Sequence, residues 1–486
     1  MSLRRSAQPA PETGKPGLDP ARVAAVQKML REARNGKPGK GNIVRRIVSH
    51  PVRAVPVAFL LVIIIGAALL MLPATRTDGG AEGFMPALFT SVSAVCVTGL
   101  ITVDTATFWT PFGQGVILGL IQVGGFGIMT LATLLALLVR KNIGLRGQLV
   151  AQTETHTLNL GDVRAVLVRV AKIMLTFEAA TALFLTARFW IAYDQNPATA
   201  LWHGIFHAIS AFNNAGFSVY SDNLIGFAED PWIITPICLA IIAGGLGFPV
   251  IIQLTRGELK PKYWTIHLRL TIYGTLFLLA AGTTLFAAFE WNRNETLGQL
   301  SLTGKLLGSF AGGVFPRTAG FNSIDYGVAA PETLMVTNIL MFIGGGSAGT
   351  AGGIKVTTFA LLAFVILAEI RGEPTVHVLN RRLPGQVQRQ ALTVALLGVG
   401  VVMIGTFTLL ALTPFRLDDV LFETISAFAT VGLSTGITAK IPDAGQFVLM
   451  ALMFIGRLGP ITMASALALR ERPRRYELAE ERPVVG

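Results

Sequence analysis

Apolar and polar residues alternate along this chain on the length scale of a membrane span. A helix needs roughly 20 predominantly apolar residues to cross about 30 Å of hydrocarbon. Eight runs approach or exceed that length, and an even number of spans returns the chain to the side of the membrane on which it began. The eight predicted spans are 54–73, 112–139, 166–192, 232–254, 267–290, 333–370, 390–413 and 446–469.

A shorter apolar segment lies between the two members of each pair of spans. Such segments are too short to cross a bilayer and suit re-entrant helices. Irregular backbone at membrane depth is tolerated only where it lines a cavity or is buried in protein. We therefore predict four re-entrant segments, at 83–98, 200–215, 303–317 and 419–431.

The four short segments share a sequence pattern. Each has a Phe ten positions before a Gly, the Gly is followed by Leu or Phe, and three of the four carry Ser-Ala at one offset. The pattern indicates a fourfold internal repeat. It predicts an all-α polytopic membrane protein with four repeats of span, pore helix, filter turn and span. The repeats are 51–140 with pore loop 83–100, 160–256 with pore loop 200–217, 265–371 with pore loop 303–321, and 388–470 with pore loop 419–433.

Composition narrows the class of protein. Only 14% of the 486 residues are charged and 52% are hydrophobic, whereas soluble proteins carry about 25% charged residues. A soluble enzyme and a disordered chain are both disfavoured. The two cysteines, Cys96 and Cys238, cannot build a disulfide framework or a four-cysteine zinc site. No converging acids, bases or metal ligands indicate catalysis, so the chain is not predicted to be an enzyme.

The net charge of +12 is distributed in blocks. Basic residues concentrate in the N-terminal extension 1–50, in alternate connections between spans and in the tail 471–486. This positive-inside pattern predicts that both termini are cytoplasmic and that the extension and tail face the cytoplasm, where they could contact anionic lipid. No nucleic-acid partner is predicted, since the basic residues follow membrane orientation.

Each of the four glycine turns is predicted to form one quarter of a cation filter. Backbone carbonyls can replace the hydration shell of K⁺ without adding net charge, and glycine permits the backbone angles that this requires. The C-terminal end of each short helix also favours cations through its dipole. The predicted filter residues are Val97, Thr98 and Gly99; Asn214, Ala215 and Gly216; Thr318, Ala319 and Gly320; and Thr430, Val431 and Gly432.

Acidic residues follow three of the four glycines. Asp104, Asp222 and Asp325 are predicted to form a negative outer mouth that concentrates cations, and Asp418 and Asp419 precede the fourth pore helix. The alternative for each Asp is an ordinary turn or capping role.

A glycine cluster interrupts the long run 333–370. A continuous helix would lose about 1 kcal/mol per glycine relative to alanine, so we predict an intramembrane gate loop at 344–355. Walker spacing and a preceding strand are missing, which disfavours a phosphate-binding loop. Arg457 lies inside the last span, and carbonyls of the broken segment are its predicted partners; a packing role is the alternative. The predicted gate residues are Gly344, Gly345, Gly346, Ser347, Gly349, Thr350, Gly352, Gly353, Lys355 and Arg457.

These motifs together resemble the Trk/Ktr/HKT superfamily of K⁺ transporters, most closely the KtrB-type membrane subunits of bacterial Ktr systems. The resemblance rests on four stretches around the filter glycines, on Gly-Gly-Gly-Ser-Ala-Gly-Thr-Ala-Gly-Gly-Ile-Lys at 344–355 and on Ile-Gly-Arg-Leu-Gly-Pro at 455–460. It covers about residues 50–470.

The resemblance implies potassium uptake across a bacterial plasma membrane. It implies one pseudo-fourfold pore per chain, a homodimer, and a cytosolic ring of RCK-type, KtrA/TrkA-like subunits that bind ATP or ADP. The gate would lie beneath the filter, and Gly99 goes with preference for K⁺. No cofactor is expected on this chain. Na⁺-linked uptake, Trk-type proton-linked uptake and a weakly selective K⁺/Na⁺ channel stay open, with secondary transport of an organic solute as the remote alternative.

Overall fold

The computed structural model describes residues 51–77, 83–141, 163–255, 263–379 and 381–459. The predicted N-terminal extension 1–50, the tail 471–486 and the end of the eighth predicted span, 460–469, lie outside the described residues. The chain divides into two compact units, Met1–Ala54 and Val55–Gly486. Of the first unit, the described residues include only the start of one helix.

The described residues are almost entirely helical. In the first half of the chain the helices are α1 (Pro51–Leu70), α2 (Phe84–Val95), α3 (Pro111–Lys141), α4 (Val163–Ala192), α5 (Pro197–Phe212), α6 (Pro231–Leu246) and α7 (Phe248–Thr255). In the second half they are α8 (Ile266–Glu290), α9 (Leu302–Val314), α10 (Pro331–Phe342), α11 (Val356–Ile370), α12 (Gly385–Leu412), α13 (Leu417–Phe428) and α14 (Asp443–Leu458). Strands β1 (His377–Val378) and β2 (Arg381–Arg382) pair antiparallel between α11 and α12.

Several helices have the length and surface of membrane spans. Among the described residues, three are long and apolar enough to cross a bilayer: Leu167–Ala192 within α4, α8 and α12. Less than a third of their most apolar stretch is buried. On α12, Ile404 is 70% exposed and Phe407 is 75% exposed. Apolar surface on this scale is stable against lipid, so the chain is a membrane protein.

The fourth predicted span, 232–254, is wrong as a continuous helix. The structure bends it by 100° between α6 and α7. Gly247 forms the bend with a φ of 91°, a conformation that glycine adopts without the steric cost of a Cβ. The amide of Phe248 then donates to the carbonyl of Ala348 at 3.2 Å, outside its own helix.

The sixth predicted span, 333–370, is interrupted as expected. α10 ends at Phe342 and α11 begins at Val356. The segment between them, 343–355, is irregular, apart from a bridge between Ile343 and Ile354.

The four short helices α2, α5, α9 and α13 end just before the repeated glycines. α2, α5 and α13 each end four residues before their glycine, whereas α9 ends six residues before Gly320. Pro316 explains the early end, because proline cannot donate the backbone hydrogen bond that would extend α9. Side chains also define helix starts: Asn196 accepts from the amide of Ala198 at 3.0 Å, a typical N-cap.

The phenylalanines of the repeat pattern anchor the short helices. Phe89, Phe206 and Phe422 have no solvent-exposed surface. Burying such a side chain contributes about 1.5–3 kcal/mol. In these three repeats the recurring Phe is therefore a core residue, which positions the short helix and the turn that follows it, whereas Phe310 of the third repeat is half-buried.

Helical glycines bring long helices against the ends of the short ones. A Cβ added to a glycine of α3, α6 or α14 would collide with the last carbonyl oxygen of α2, α5 or α13, respectively. The pairs are Gly124 with Val95, Gly244 with Phe212, and Gly456 with Phe428. Each long helix thus supports the base of its own glycine turn at backbone distance.

Gly244→Ala should destabilise the protein by about 1–3 kcal/mol, because the added methyl group overlaps the Phe212 carbonyl oxygen and overpacking costs that much. The measurement is the thermal unfolding temperature of detergent-purified protein. Gly119→Ala is the matched control, since a Cβ at Gly119 meets nothing within 4 Å. Equal unfolding temperatures for the two variants would contradict the packing account.

Candidate functional site: the four glycine turns and the segment beneath them

The four glycine turns have the same backbone form. In each, the glycine and the residue two positions before it both have left-handed φ angles. The paired values are 55° and 97° for Val97 and Gly99, 58° and 70° for Asn214 and Gly216, 70° and 71° for Thr318 and Gly320, and 50° and 98° for Thr430 and Gly432.

Three of the four non-glycine positions carry a β-branched side chain: Val97, Thr318 and Thr430. Left-handed φ is unfavourable for such residues. A residue held in a sparsely populated region costs about 1–3 kcal/mol, and such residues cluster at functional sites. The strain recurs in register with the repeat, which indicates that the turn geometry has a role besides stability.

The glycines form a closed circuit of contacts. A Cβ added to any of them would meet the carbonyl oxygen of the residue that precedes the next glycine. Gly99 faces Ala215 and Gly216, Gly216 faces Ala319 and Gly320, Gly320 faces Val431 and Gly432, and Gly432 faces Thr98 and Gly99. The structure therefore brings all four predicted turns to one place, in chain order around a ring.

Serines of the short helices hold three of the turns. Ser93 Oγ accepts from the amide of Gly99, and Ser426 Oγ accepts from the amide of Gly432, both at 3.0 Å. Ser210 Oγ donates to the carbonyl of Phe217 at 2.8 Å. These are the serines of the repeated Ser-Ala pair. The third repeat has Val314 at this offset, so its turn has no equivalent hydroxyl bond.

A cavity of about 320 Å³ opens on one side of the ring, and all four glycines line it. Asp104, Asp222 and Asp325 line it too. Each of these aspartates also accepts a local backbone amide, from Ala106, Gly226 and Gly327 respectively. The mouth and turn-capping interpretations are thus both compatible with the geometry.

The other two acidic residues lie elsewhere. Asp418 and Asp419 do not line this cavity, and Asp418 forms an exposed ion pair with Arg416 at 3.4 Å.

The glycine-rich segment 343–355 lies against the second and fourth turns. Thr350 Oγ1 lies 3.3 Å from the carbonyl oxygen of Phe212 and 3.2 Å from the amide group of Asn214. A Cβ at Gly352 would overlap the backbone of Ala429 and the side chain of Thr430. The segment therefore contacts the ring where α5 and α13 end, at residues that precede the glycines.

Helix α6 supplies further anchors for this segment. The amide of Gly346 donates to the carbonyl of Gly245 at 2.7 Å, and the amide of Thr350 donates to that of Gly244 at 3.2 Å. Next to the bend, Gly247 also lies against the backbone of Ser347 and Gly349. No sequence pattern predicts that the glycines of α6 hold this segment.

Two cations lie at this segment, the buried Arg457 and the half-buried Lys355. Arg457, 5% exposed, donates from Nη1 to the carbonyl of Thr350, and this is the kind of partner predicted for it. Its Nε and Nη2 have no hydrogen-bond partner among the described residues. Lys355 Nζ donates to the carbonyl of Ala351 at 2.5 Å. Within the described part of the chain no carboxylate forms an ion pair with either cation.

Glu178 joins neighbouring repeats beside the second turn. Its carboxylate accepts from Gln122 at 2.9 Å and from Asn213 at 3.0 Å. Asn213 immediately precedes the predicted filter residue Asn214. Through these hydrogen bonds Glu178 links α4 to α3 and α5.

Metal-ligand clusters are missing from the described ranges: no group of three or more His, Cys, Asp or Glu could hold a metal ion there. Cys96 and Cys238 are both buried and unpaired.

Known proteins resemble the chain over most of its length. The family model for TrkH, a cation transport protein, matches residues 43–474. The Ktr system potassium uptake protein B of Bacillus subtilis is 38% identical over 89% of this chain and 96% of its own length. The protein of the same name from Vibrio alginolyticus is 35% identical, over 89% and 94%.

Two further comparisons concern a differently named relative and a solved structure. The potassium/sodium uptake protein NtpJ of Enterococcus hirae is 33% identical over 91% of this chain and 98% of its own length. The crystal structure of the potassium transporter TrkH from Vibrio parahaemolyticus matches with a TM-score of 0.66 at 20% identity, over 85% of each chain. That likeness concerns the fold. The family model and the relatives with 33% to 38% identity show that the chain belongs to the TrkH family of cation transport proteins.

Proposed function

We propose that this chain takes up potassium ions through a filter formed by its four glycine turns. The closed circuit of these turns carries the proposal. Each glycine leaves room for the carbonyl oxygen that precedes the next glycine, so four carbonyls come together around one centre. Such a ring supplies oxygen ligands to a dehydrated cation without a net charge that would trap it.

The architecture follows from the same circuit. α2, α5, α9 and α13 are re-entrant pore helices, and eight spans surround one pseudo-fourfold pore. The C-terminal ends of the four short helices meet at the turns, where their helix dipoles favour a cation. The cavity with Asp104, Asp222 and Asp325 is the outer mouth, and the blocks of basic residues support a bacterial plasma-membrane protein with both termini in the cytoplasm.

Potassium is the preferred ion in this proposal. The relatives from Bacillus subtilis and Vibrio alginolyticus are both named potassium uptake proteins. Gly99 adds no side chain to the first quarter of the ring, and the glycines of the other three quarters add none either. The relative named a potassium/sodium uptake protein favours a second candidate, a pore that also passes Na⁺ or couples to it. Proton linkage is the third coupling that the family resemblance suggests.

Segment 343–355 and Arg457 form the gate. The segment contacts the ring at Phe212, Asn214 and Thr430, on the side away from the outer mouth. Lys355 and Arg457 add two positive charges there. At low effective dielectric these charges repel an incoming cation over several ångströms, so the segment blocks the path by size and by charge.

Partners complete the proposed system. The relatives belong to Ktr systems by name, which supports a multicomponent assembly. We propose a homodimer of this chain on a cytosolic RCK-type ring whose subunits bind ATP or ADP. Membrane lipid contacts the exposed apolar faces of α4, α8 and α12.

Purified protein in liposomes should pass K⁺ and Rb⁺ in preference to Na⁺ and Li⁺, because the carbonyl ring favours the larger, more easily dehydrated ions. The measurement is tracer uptake with each ion as competitor. In a K⁺-uptake-deficient bacterium, the chain should restore growth on limiting K⁺, more strongly with its RCK partner. Absence of flux, or equal flux of all four ions, would overturn the proposed filter.

Gly320→Ala should lower the K⁺ preference, since the new methyl group meets the Val431 carbonyl. A loss of about 1.4 kcal/mol lowers the selectivity ratio about tenfold. Gly372→Ala is the matched control: its φ of 65° resembles the 71° of Gly320, but a Cβ there meets nothing within 4 Å. The filter assignment fails if both variants keep the wild-type ion ratio.

Arg457→Ala should raise K⁺ flux severalfold, because it removes one buried charge and the bond that holds the carbonyl of Thr350. Initial rates of Rb⁺ uptake at matched protein density measure the effect. Arg416→Ala, at an exposed arginine paired with Asp418, is the control and should leave the rate unchanged. Unaltered flux in Arg457→Ala would argue for a packing role.

A further inference from the structure

The four repeats differ at one buried position of the short helices. Nine residues before each filter glycine lie Thr90, His207, Ala311 and Glu423. All four are at most 1% exposed. Only two of them, His207 and Glu423, bond to the chain beyond the glycine, and we call these two contacts the filter braces.

The Glu423 brace is a buried carboxylate with two hydroxyl donors. It accepts from the hydroxyl of Ser434, two residues beyond Gly432, and from Thr438 Oγ1 at 2.9 Å. Hydrogen bonds to a carboxylate are about twice as strong as those between neutral groups. Glu423 therefore holds the stretch 434–438 against α13.

The His207 brace has the same place in the second repeat. Its Nε2 lies 2.9 Å from Ser218 Oγ, two residues beyond Gly216. Its Nδ1 lies 2.8 Å from the carbonyl of His203, which can only accept, so Nδ1 carries a proton. In the neutral ring Nε2 is then an acceptor for the Ser218 hydroxyl. The imidazole thus links α5 to the chain above the second turn.

The first and third repeats have no such contact. The hydroxyl of Thr90 has no hydrogen-bond partner within the described ranges, and Ile101 stands at the position of the bonded serine. Ala311 has no polar side chain, and Asn322 donates within its own loop, to the carbonyl of Ile324 at 3.0 Å.

The two braces lie opposite each other. Contacts around the ring run from Gly99 to Gly216, Gly320, Gly432 and back to Gly99, so the second and fourth turns are not neighbours in this circuit. Each unbraced turn has a braced turn on both sides. The backbone of the ring therefore repeats four times, whereas the brace contacts that support it occur only at the second and fourth turns.

We infer that Glu423 and His207 are specificity-determining positioning residues. They keep the carbonyl ring from closing around a smaller ion, because they fasten the chain just beyond Gly432 and Gly216. The inference rests on the proposed potassium function, and it assigns part of the selectivity to side chains that do not touch the ion.

The test compares ion selectivity with total flux. Glu423→Ala and Ser434→Ala should each lower the K⁺ over Na⁺ uptake ratio severalfold in liposomes. The double variant should be no worse than Glu423→Ala, since the hydroxyl acts through the carboxylate. Glu423→Gln keeps one acceptor oxygen and should restore part of the ratio. His207→Ala should act in the same direction.

Thr90→Ala is the matched control and should keep the wild-type ratio, because its hydroxyl bonds nothing in the described structure. An unchanged ratio in Ser434→Ala, or a loss of flux at constant ratio in Glu423→Ala, would overturn the inference. If Glu423→Ala does not fold, Ser434→Ala decides by itself. A wild-type protein that does not discriminate between ions would instead refute the proposed function, so the two failures are distinguishable.

Discussion

The structure depends on one close contact, made four times, between a glycine and the carbonyl oxygen that precedes the next glycine. No side chain fits at these points, so the circuit closes only if all four repeats supply a glycine. Other features keep that contact in register. Buried phenylalanines position the short helices, helical glycines such as Gly244 let the long helices support them, and serines such as Ser93 hold the turns. A steric constraint at four backbone positions thus explains why so many glycines recur at matching places.

A second constraint is electrostatic. Arg457 is buried and Lys355 is half-buried near the ring, and the described residues provide carbonyl oxygens for them but no ion-paired carboxylate. Burying a charge is costly unless it is paired or well hydrogen-bonded, and two nitrogens of Arg457 have no hydrogen-bond partner among the described residues. In the proposed gate, these two positive charges would be the barrier to a cation.

The repeat made much of this predictable from sequence. The glycine positions, the short helices and the break near Gly344 all follow from patterns within single segments. The bend at Gly247 was missed because Leu246-Gly247-Phe248 is uniformly apolar, and the bend depends on contacts with residues about 100 positions away. The strain at Thr318 depends on the closed circuit. Glu423 was overlooked for a different reason. An alignment of the four repeats shows that Glu423 is the acidic residue at its position, but its role follows only from its contact with Ser434 in the structure.

The end of α6 has a consequence for how the path could open. A helix that stops leaves its last carbonyls without intrahelical partners. Near the bend, two of these carbonyls, Gly244 and Gly245, take the amides of Thr350 and Gly346. If segment 343–355 moves away in the proposed gate, these oxygens lose their partners. Water or the passing ion would then have to replace the lost amides, so opening of the segment and hydration of the proposed pore would occur together.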